Sequence, residues 1–179
     1  MLEEWCWNRA TLKRLSKHHI DSSPLPDKLI DGLVKSKTFN ASLNNLRQVY
    51  LGLFDLAIHS IRSSGVDGLP NGETVEQLYE RLRFEIGLIQ QPEGVCPAAS
   101  FEHVMDYYDA GYYGYLWSEV FSSDMFHSRF LAGQRDGQIN PEVGRQYRKE
   151  IVEPGASRDG MDSLRSFLGR DPSPDAFVQ

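Results

Sequence analysis

Residues 40–63 read NASLNNLRQVYLGLFDLAIHSIRS, and this stretch decides the fold class. Its apolar side chains recur at steps of three and four residues, which is the spacing of one helical face. The members of that face are Leu43, Leu46, Tyr50, Leu53, Ala57 and Ile61. Asn40 is the expected N-cap, and Ser63-Ser64-Gly65 is the expected stop. The stretch therefore predicts one long helix.

The same periodicity extends along the rest of the chain. It predicts further helices over residues 1–18, 27–35, 74–89, 112–131, 141–150 and 160–168. An extended stretch near residues 101–105 is the one exception, and no alternating strand pattern or repeat accompanies it. No shift in composition marks an internal boundary. We therefore expect an all-α, or nearly all-α, fold in which residues 1–179 form a single helical unit.

Composition narrows the class of protein. The chain has 179 residues, of which 40% are apolar and 25% charged, with a net charge of −6 and no block of five like charges. A nucleic-acid partner is therefore not expected. Cys6 and Cys96 are too few for a disulfide framework and indicate reduced thiols. The N-terminal MLEEWCWNRA lacks the apolar run of a signal peptide or membrane span, so we expect a soluble, cytoplasmic protein.

Residues 107–121, YYDAGYYGYLWSEVF, hold five of the chain's eight tyrosines. A single helix would bring Tyr108, Tyr112, Tyr115 and Glu119 onto one face. Gly111 and Gly114 lower helix propensity, so the first part alternatively forms a mobile loop. Aromatic stripes of this kind are usually core. The functional interpretation is a set of phenol donors, with His103 nearby, that converge on a ligand developing negative charge.

A family resemblance favours the functional interpretation. Residues 101–130, FEHVMDYYDAGYYGYLWSEVFSSDMFHSRF, resemble the signature of the thimet oligopeptidase and neurolysin family of zinc metallopeptidases, approximately FGHxxGGYDAxYYGYLWSEV. Three other stretches also resemble that family in order: MLEEWCW, FNASLNNLRQVYLGLFDLAIH, and YRKEIVEPGASRDGMDSLRSFLGRDPSPDAF. The resemblance thus covers almost the whole chain.

The resemblance implies a mechanism. In such enzymes a His-Glu-x-x-His helix binds zinc, and the metal-bound water attacks the carbonyl of a short peptide. Carried over by position, His103 and Tyr108 are the expected catalytic donors to the transition state. Tyr112 and Tyr115 are expected to bind substrate. The glycine-containing loop before the helix is expected to close over the peptide.

The chain departs from the family pattern at several glycines. Asp106-Tyr107 replaces Gly-Gly before the tyrosine, and Glu102 replaces the glycine before the histidine. Ala156 stands in the family's Pro-Gly-Gly-Ser. Losing glycine removes easy access to positive φ, so we expect the closure of this loop to differ, and an alanine at a positive-φ site would cost stability.

The largest departure is the metal site. No His-Glu-x-x-His occurs among the five histidines, which are His18, His19, His59, His103 and His127. The resemblance would locate the zinc ligands before Met1. We therefore expect the C-terminal part of a zincin-like catalytic domain that binds no zinc, has no metal ligands and is inactive alone.

The expected partners follow from this assignment. They are short peptides and the missing N-terminal part of the domain, with self-association through exposed apolar faces and no membrane contact. The alternative is a non-catalytic helical module, a degenerate or truncated relative, that binds a peptide or a protein. Peptide specificity and oligomeric state stay open, as does the choice between the cytoplasm and the mitochondrial matrix.

Overall fold

The computed structural model describes residues 1–60, 69, 72–134 and 140–178. These residues contain helices and turns and no strand, which confirms the all-α class. The α-helices are α1 Arg9–Leu15, α2 Asp27–Ser36, α3 Ala41–His59, α4 Val75–Glu85, α5 Gly114–Met125, α6 Pro141–Tyr147 and α7 Gly160–Leu168. Helices α5 and α6 continue as π-helical turns over Phe126–Leu131 and Arg148–Val152.

Two expected elements differ from the structure. Residues 1–18 form a 3-10 helix, Leu2–Trp7, followed by α1, rather than one helix. The break falls at Asn8, whose extended backbone lets its side chain accept a hydrogen bond from the Thr11 amide at 3.1 Å. Near residues 101–105 the chain forms a 3-10 turn, Glu102–Val104, instead of an extended stretch.

Helix α3 confirms the long helix, with two differences in detail. Asn40 is the N-cap residue, but its backbone is left-handed and its side chain makes no capping hydrogen bond. The buried face includes Leu51 and Phe54, whereas Leu43 and Leu53 are 47% and 44% exposed. The expected stop at residues 63–65, together with Ile61, lies outside the described residues.

The chain divides into two compact units. We call residues 40–117 the middle unit and the set Met1–Phe39 with Ser118–Gln179 the terminal unit. The boundary falls inside α5. The sequence-based expectation of a single helical unit stays a prediction.

The middle unit is built on the packing of α3 against α4. Thr74 begins α4 with a capping box, in which its side chain and that of Gln77 each bond the other's backbone amide. Phe54 of α3 meets Tyr79 of α4 edge-on, with ring centroids 5.1 Å apart. The buried apolar residues of this core are Tyr50, Leu51, Phe54, Leu69, Leu78, Tyr79, Val104 and Tyr112.

The terminal unit has its own core and its own buried carboxylate. Its core residues are Met125, Phe126, Phe130, Val143, Leu164, Phe167 and Leu168, and Trp5 meets Phe130 edge-on. Asp124 is 2% exposed and accepts hydrogen bonds from the Arg170 guanidinium and the Ser173 amide, each at 2.8 Å. Burial alone would raise the pKa of Asp124, but these hydrogen bonds outweigh it and hold the pKa below its usual value.

Gly87 provides a test of packing in the middle unit. A Cβ there would lie 2.7 Å from the Arg83 carbonyl oxygen and 3.1 Å from the Tyr50 ring, so Gly87→Ala should lower the free energy of unfolding by about 1–3 kcal/mol. Gly32 of α2 is the control, because nothing lies within 4 Å of its Cβ position and Gly32→Ala should stabilise the helix by about 0.5–1 kcal/mol. Urea unfolding checks both values, and equal effects of the two substitutions would contradict the packing.

Candidate functional site

The tyrosine segment begins as a loop. Residues 105–113 form turns, and α5 starts only at Gly114. The Gly111 amide bonds the Tyr108 carbonyl at 2.8 Å, and the Gly114 amide bonds the Gly111 carbonyl at 3.0 Å. The loop alternative is therefore the correct one, and the first part of the segment does not continue the helix.

The structure brings the four predicted site residues together. The His103 ring lies 5.7 Å from that of Tyr108, 5.4 Å from Tyr112 and 5.8 Å from Tyr115. Tyr108 and Tyr115 stack at 5.6 Å with an angle of 21°, and Tyr112 lies 5.0 Å from Tyr115. We call these four residues the His–Tyr cluster. All four rings lie in one cluster, and the proposed catalytic and substrate-binding roles require this proximity. The roles themselves stay predictions.

Members of the cluster differ in their access to solvent. Tyr108 is 48% exposed and Tyr115 is 39% exposed, while His103 is half-buried. Tyr112 is buried at 7% and packs edge-on against Phe101 at 5.0 Å. Tyr108 and Tyr115 can therefore meet a ligand from solvent, whereas Tyr112 anchors the cluster to the core of the middle unit.

Two phenol hydroxyls of the cluster, those of Tyr112 and Tyr115, have a raised pKa. A hydrogen bond to the Tyr108 side chain is the main cause that raises the pKa of Tyr115, with burial adding to it. Burial raises the pKa of Tyr112 as well.

Asp55 fixes the backbone of this loop, and the sequence interpretation missed it. Its carboxylate is fully buried and accepts the Ala110 amide at 3.0 Å and the Tyr112 amide at 2.9 Å. His59, one turn further along α3, brings Nδ1 to 2.9 Å from both the Asp55 carboxylate and the Asp55 carbonyl oxygen. The available signal was a single acid inside an apolar helical run, with a histidine four residues later.

The loop uses positive φ at residues that are not glycine. Tyr107 has φ +62° and Ala110 has φ +56°. Tyr107 stands where the family resemblance expects glycine, and its left-handed backbone costs about 1–2 kcal/mol. Ala156 carries no such cost, because the positive φ of that turn, +52°, belongs to Gly155.

Other features of the described residues bear on binding. No group of three or more His, Cys, Asp or Glu side chains in that part of the chain is placed to hold a metal ion. None of its helices is both long enough and apolar enough to cross a membrane.

Comparison with known proteins was made over the full sequence. A family model described as Peptidase family M3 matches residues 1–179. Saccharolysin of Saccharomyces cerevisiae is 40% identical over 181 residues, covering 100% of this chain and 24% of the relative. Thimet-like oligopeptidase of Dictyostelium discoideum is 35% identical, covering 100% and 25%. Oligopeptidase A of Escherichia coli is 33% identical, covering 99% and 25%. The chain spans about a quarter of the length of these curated relatives.

The positive φ of Tyr107 leads to a stability prediction. Tyr107 is 96% exposed, so Tyr107→Gly removes little packing and relieves the left-handed strain. We expect unfolding free energy to stay level or rise by up to about 1 kcal/mol, after the greater unfolded-state freedom of glycine is subtracted. Asp106→Gly is the control: without a positive φ to relieve, it should lose about 0.5–1 kcal/mol. If chemical denaturation finds the same loss of unfolding free energy in both variants, the backbone of Tyr107 is not strained.

The Tyr115–Tyr108 hydrogen bond can be tested by titration. Tyr108→Phe removes the hydroxyl whose hydrogen bond raises the pKa of Tyr115, so that pKa should fall toward its usual value. NMR of ring-labelled tyrosine measures this pKa directly. Tyr113→Phe, outside the cluster, should leave the Tyr115 pKa in place. A Tyr115 pKa that is unmoved by Tyr108→Phe would show that the bond does not form.

Proposed function

The chain belongs to peptidase family M3, and from this premise we propose that it is part of a zinc-dependent metalloendopeptidase that hydrolyses short peptides. In this proposal the chain supplies a wall of the cleft that binds substrate and stabilises the transition state. The single observation that carries the proposal is the His–Tyr cluster, in which His103 lies within 6 Å, ring to ring, of Tyr108 and Tyr115, both open to solvent.

The cluster has the chemistry that the proposed role needs. Attack on a peptide carbonyl develops negative charge on its oxygen, and fixed donors at that oxygen stabilise the transition state. Tyr108 carries a phenol O–H on a side chain that is 48% exposed, and the His103 ring lies beside it at 5.7 Å. We assign these two as the donors. The stacked ring of Tyr115 would contact the peptide, and Tyr112 would support that contact from the core.

We propose that this chain does not hold the zinc site by itself. The sequence contains no His-Glu-x-x-His, and the described residues offer no group of three or more metal-binding side chains. We therefore propose that the zinc centre belongs to polypeptide outside this chain, where it would polarise the substrate carbonyl and activate water. Matching only about a quarter of each relative's length is consistent with a partner of this kind. The isolated chain would then be inactive.

A second candidate is a non-catalytic helical module that binds a peptide or a protein. Tyr107 favours it, because a bulky residue held at positive φ, where the family pattern has glycine, stiffens a loop that would have to close during turnover. The sequence upstream of the Met1 codon distinguishes the two candidates. An in-frame His-Glu-x-x-His there favours the peptidase, and its absence favours the module.

Assembly and compartment stay predictions. Large apolar side chains such as Phe39, Phe84 and Leu88 are more than half exposed, which supports self-association of the chain by itself. The cytoplasm is the proposed compartment, with the mitochondrial matrix as the alternative.

A binding measurement tests the proposed wall. The chain should bind a short, end-blocked, fluorescein-labelled peptide saturably in a fluorescence anisotropy titration without added metal. Tyr108→Phe and Tyr115→Phe should each weaken binding by about 2- to 10-fold, the usual effect of one lost hydrogen bond. Tyr113→Phe is the matched control outside the cluster and should leave the affinity unchanged.

The same samples test the location of the zinc centre. After dialysis against zinc chloride, elemental analysis should find far less than one zinc per chain, and the peptide should remain uncut. Absence of binding, or equal effects of all three substitutions, would contradict the wall. Cleavage by the isolated chain would contradict the assignment of the zinc centre to other polypeptide.

A further inference from the structure

We propose that Asp55 and His59 are positioning residues that set the geometry of the His–Tyr cluster. Neither residue belongs to the cluster itself. The proposal rests on the function proposed above, because it gives these two residues a task in peptide binding. The argument starts from the environment of the Asp55 carboxylate.

A fully buried carboxylate is stable only when donors replace its lost water. Asp55 has three: the backbone amides of Ala110 and Tyr112, and Nδ1 of His59. Because Nδ1 faces two oxygen acceptors, the carboxylate and the Asp55 carbonyl, this nitrogen must carry the proton. His59 thus fixes the Asp55 side chain from one side while the loop occupies its other lone pairs.

The two loop amides belong to residues on either side of Gly111, and one carboxylate oxygen meets each. Successive amides bent around a left-handed residue form a concave site for an anion, and here Ala110, at φ +56°, supplies the bend. A left-handed alanine is disfavoured by itself. The Asp55 hydrogen bonds oppose that preference, so the loop conformation depends on this carboxylate.

Backbone hydrogen bonds carry the constraint on to the exposed phenols. The Gly111 amide bonds the Tyr108 carbonyl at 2.8 Å, so the position of Ala110 and Gly111 fixes Tyr108. The Tyr115 amide bonds the Tyr112 carbonyl at 3.1 Å, so the position of Tyr112 fixes the first turn of α5. The positions of both stacked tyrosines therefore depend, through these backbone hydrogen bonds, on the Asp55 carboxylate of α3.

Asp124 provides a matched comparison. It too is a buried carboxylate that accepts a backbone amide, but it lies in the terminal unit and bonds Ser173 and Arg170. A purely structural role for Asp55 predicts that Asp55→Asn and Asp124→Asn both lower stability and have similar effects on binding. A positioning role predicts that only Asp55→Asn disturbs the loop and the peptide.

The experiment combines hydrogen exchange with binding in the 179-residue chain. In Asp55→Asn one carboxylate oxygen becomes an amide NH2 that faces a backbone donor. We expect the amides of Ala110 and Tyr112 to exchange about tenfold faster or more, relative to amides in the middle of α4, because a charge-assisted hydrogen bond is lost. Affinity for the labelled peptide should also fall by about tenfold or more, because the loop that positions the His–Tyr cluster loses the same hydrogen bond. Asp124→Asn should change neither the exchange ratio nor the affinity.

The outcomes separate this proposal from the proposed function. Unchanged exchange at Ala110 and Tyr112 in Asp55→Asn, or the same change in Asp124→Asn, overturns the positioning role. If the unsubstituted chain binds no peptide, the proposed function fails, and the exchange ratio still decides whether Asp55 sets the loop. Should Asp55→Asn not fold, His59→Gln serves instead, since both loop hydrogen bonds remain. It should give a smaller increase in the same exchange ratio, and no increase would overturn the proposal.

Discussion

The buried carboxylate of Asp55 is the interaction on which the candidate site depends. Removing a charge from water is costly, and the cost is offset here by two loop amides and one imidazole. The arrangement works in both directions. Helix α3 needs the loop to satisfy a buried charge near its C-terminal end, and the loop needs α3 to hold a left-handed alanine. Fold and site are therefore stabilised by the same contact.

Helical periodicity was enough to predict most of the secondary structure. Apolar steps of three and four residues located both α3 and α4. The same reasoning identified the buried face of α3 only in part, because it included Tyr50, which is buried, together with leucines that are not. Periodicity selected Leu43 and Leu53, whereas packing buried Leu51 and Phe54. Both faces of this helix are apolar, and tertiary contacts chose between them.

The sequence predicted which residues form the candidate site, but not the loop backbone and the buried carboxylate that hold them together. Spacing grouped Tyr108, Tyr112 and Tyr115 on a helical face, and they do meet, but through a turn that ends at Gly114. Asp55 could not be found this way, because its two amide partners lie more than fifty residues away in sequence. Nor did the loss of glycine at Tyr107 mean the loss of positive φ. Tyr107 adopts the left-handed backbone that glycine would favour.

The link between Asp124 and the segment after α7 has a consequence for the end of the chain. Arg170 and Ser173 supply a guanidinium and a backbone amide to one buried acid on α5. A protease that clipped the chain after Gly169 would remove both partners at once and leave the buried Asp124 carboxylate without its cation. Because the Arg170 side chain is 44% exposed, the loss should fall below the roughly 3–5 kcal/mol of a fully buried pair. The segment that carries Arg170 and Ser173 thus holds the terminal unit together, and an affinity tag is safer appended after this segment than substituted for it.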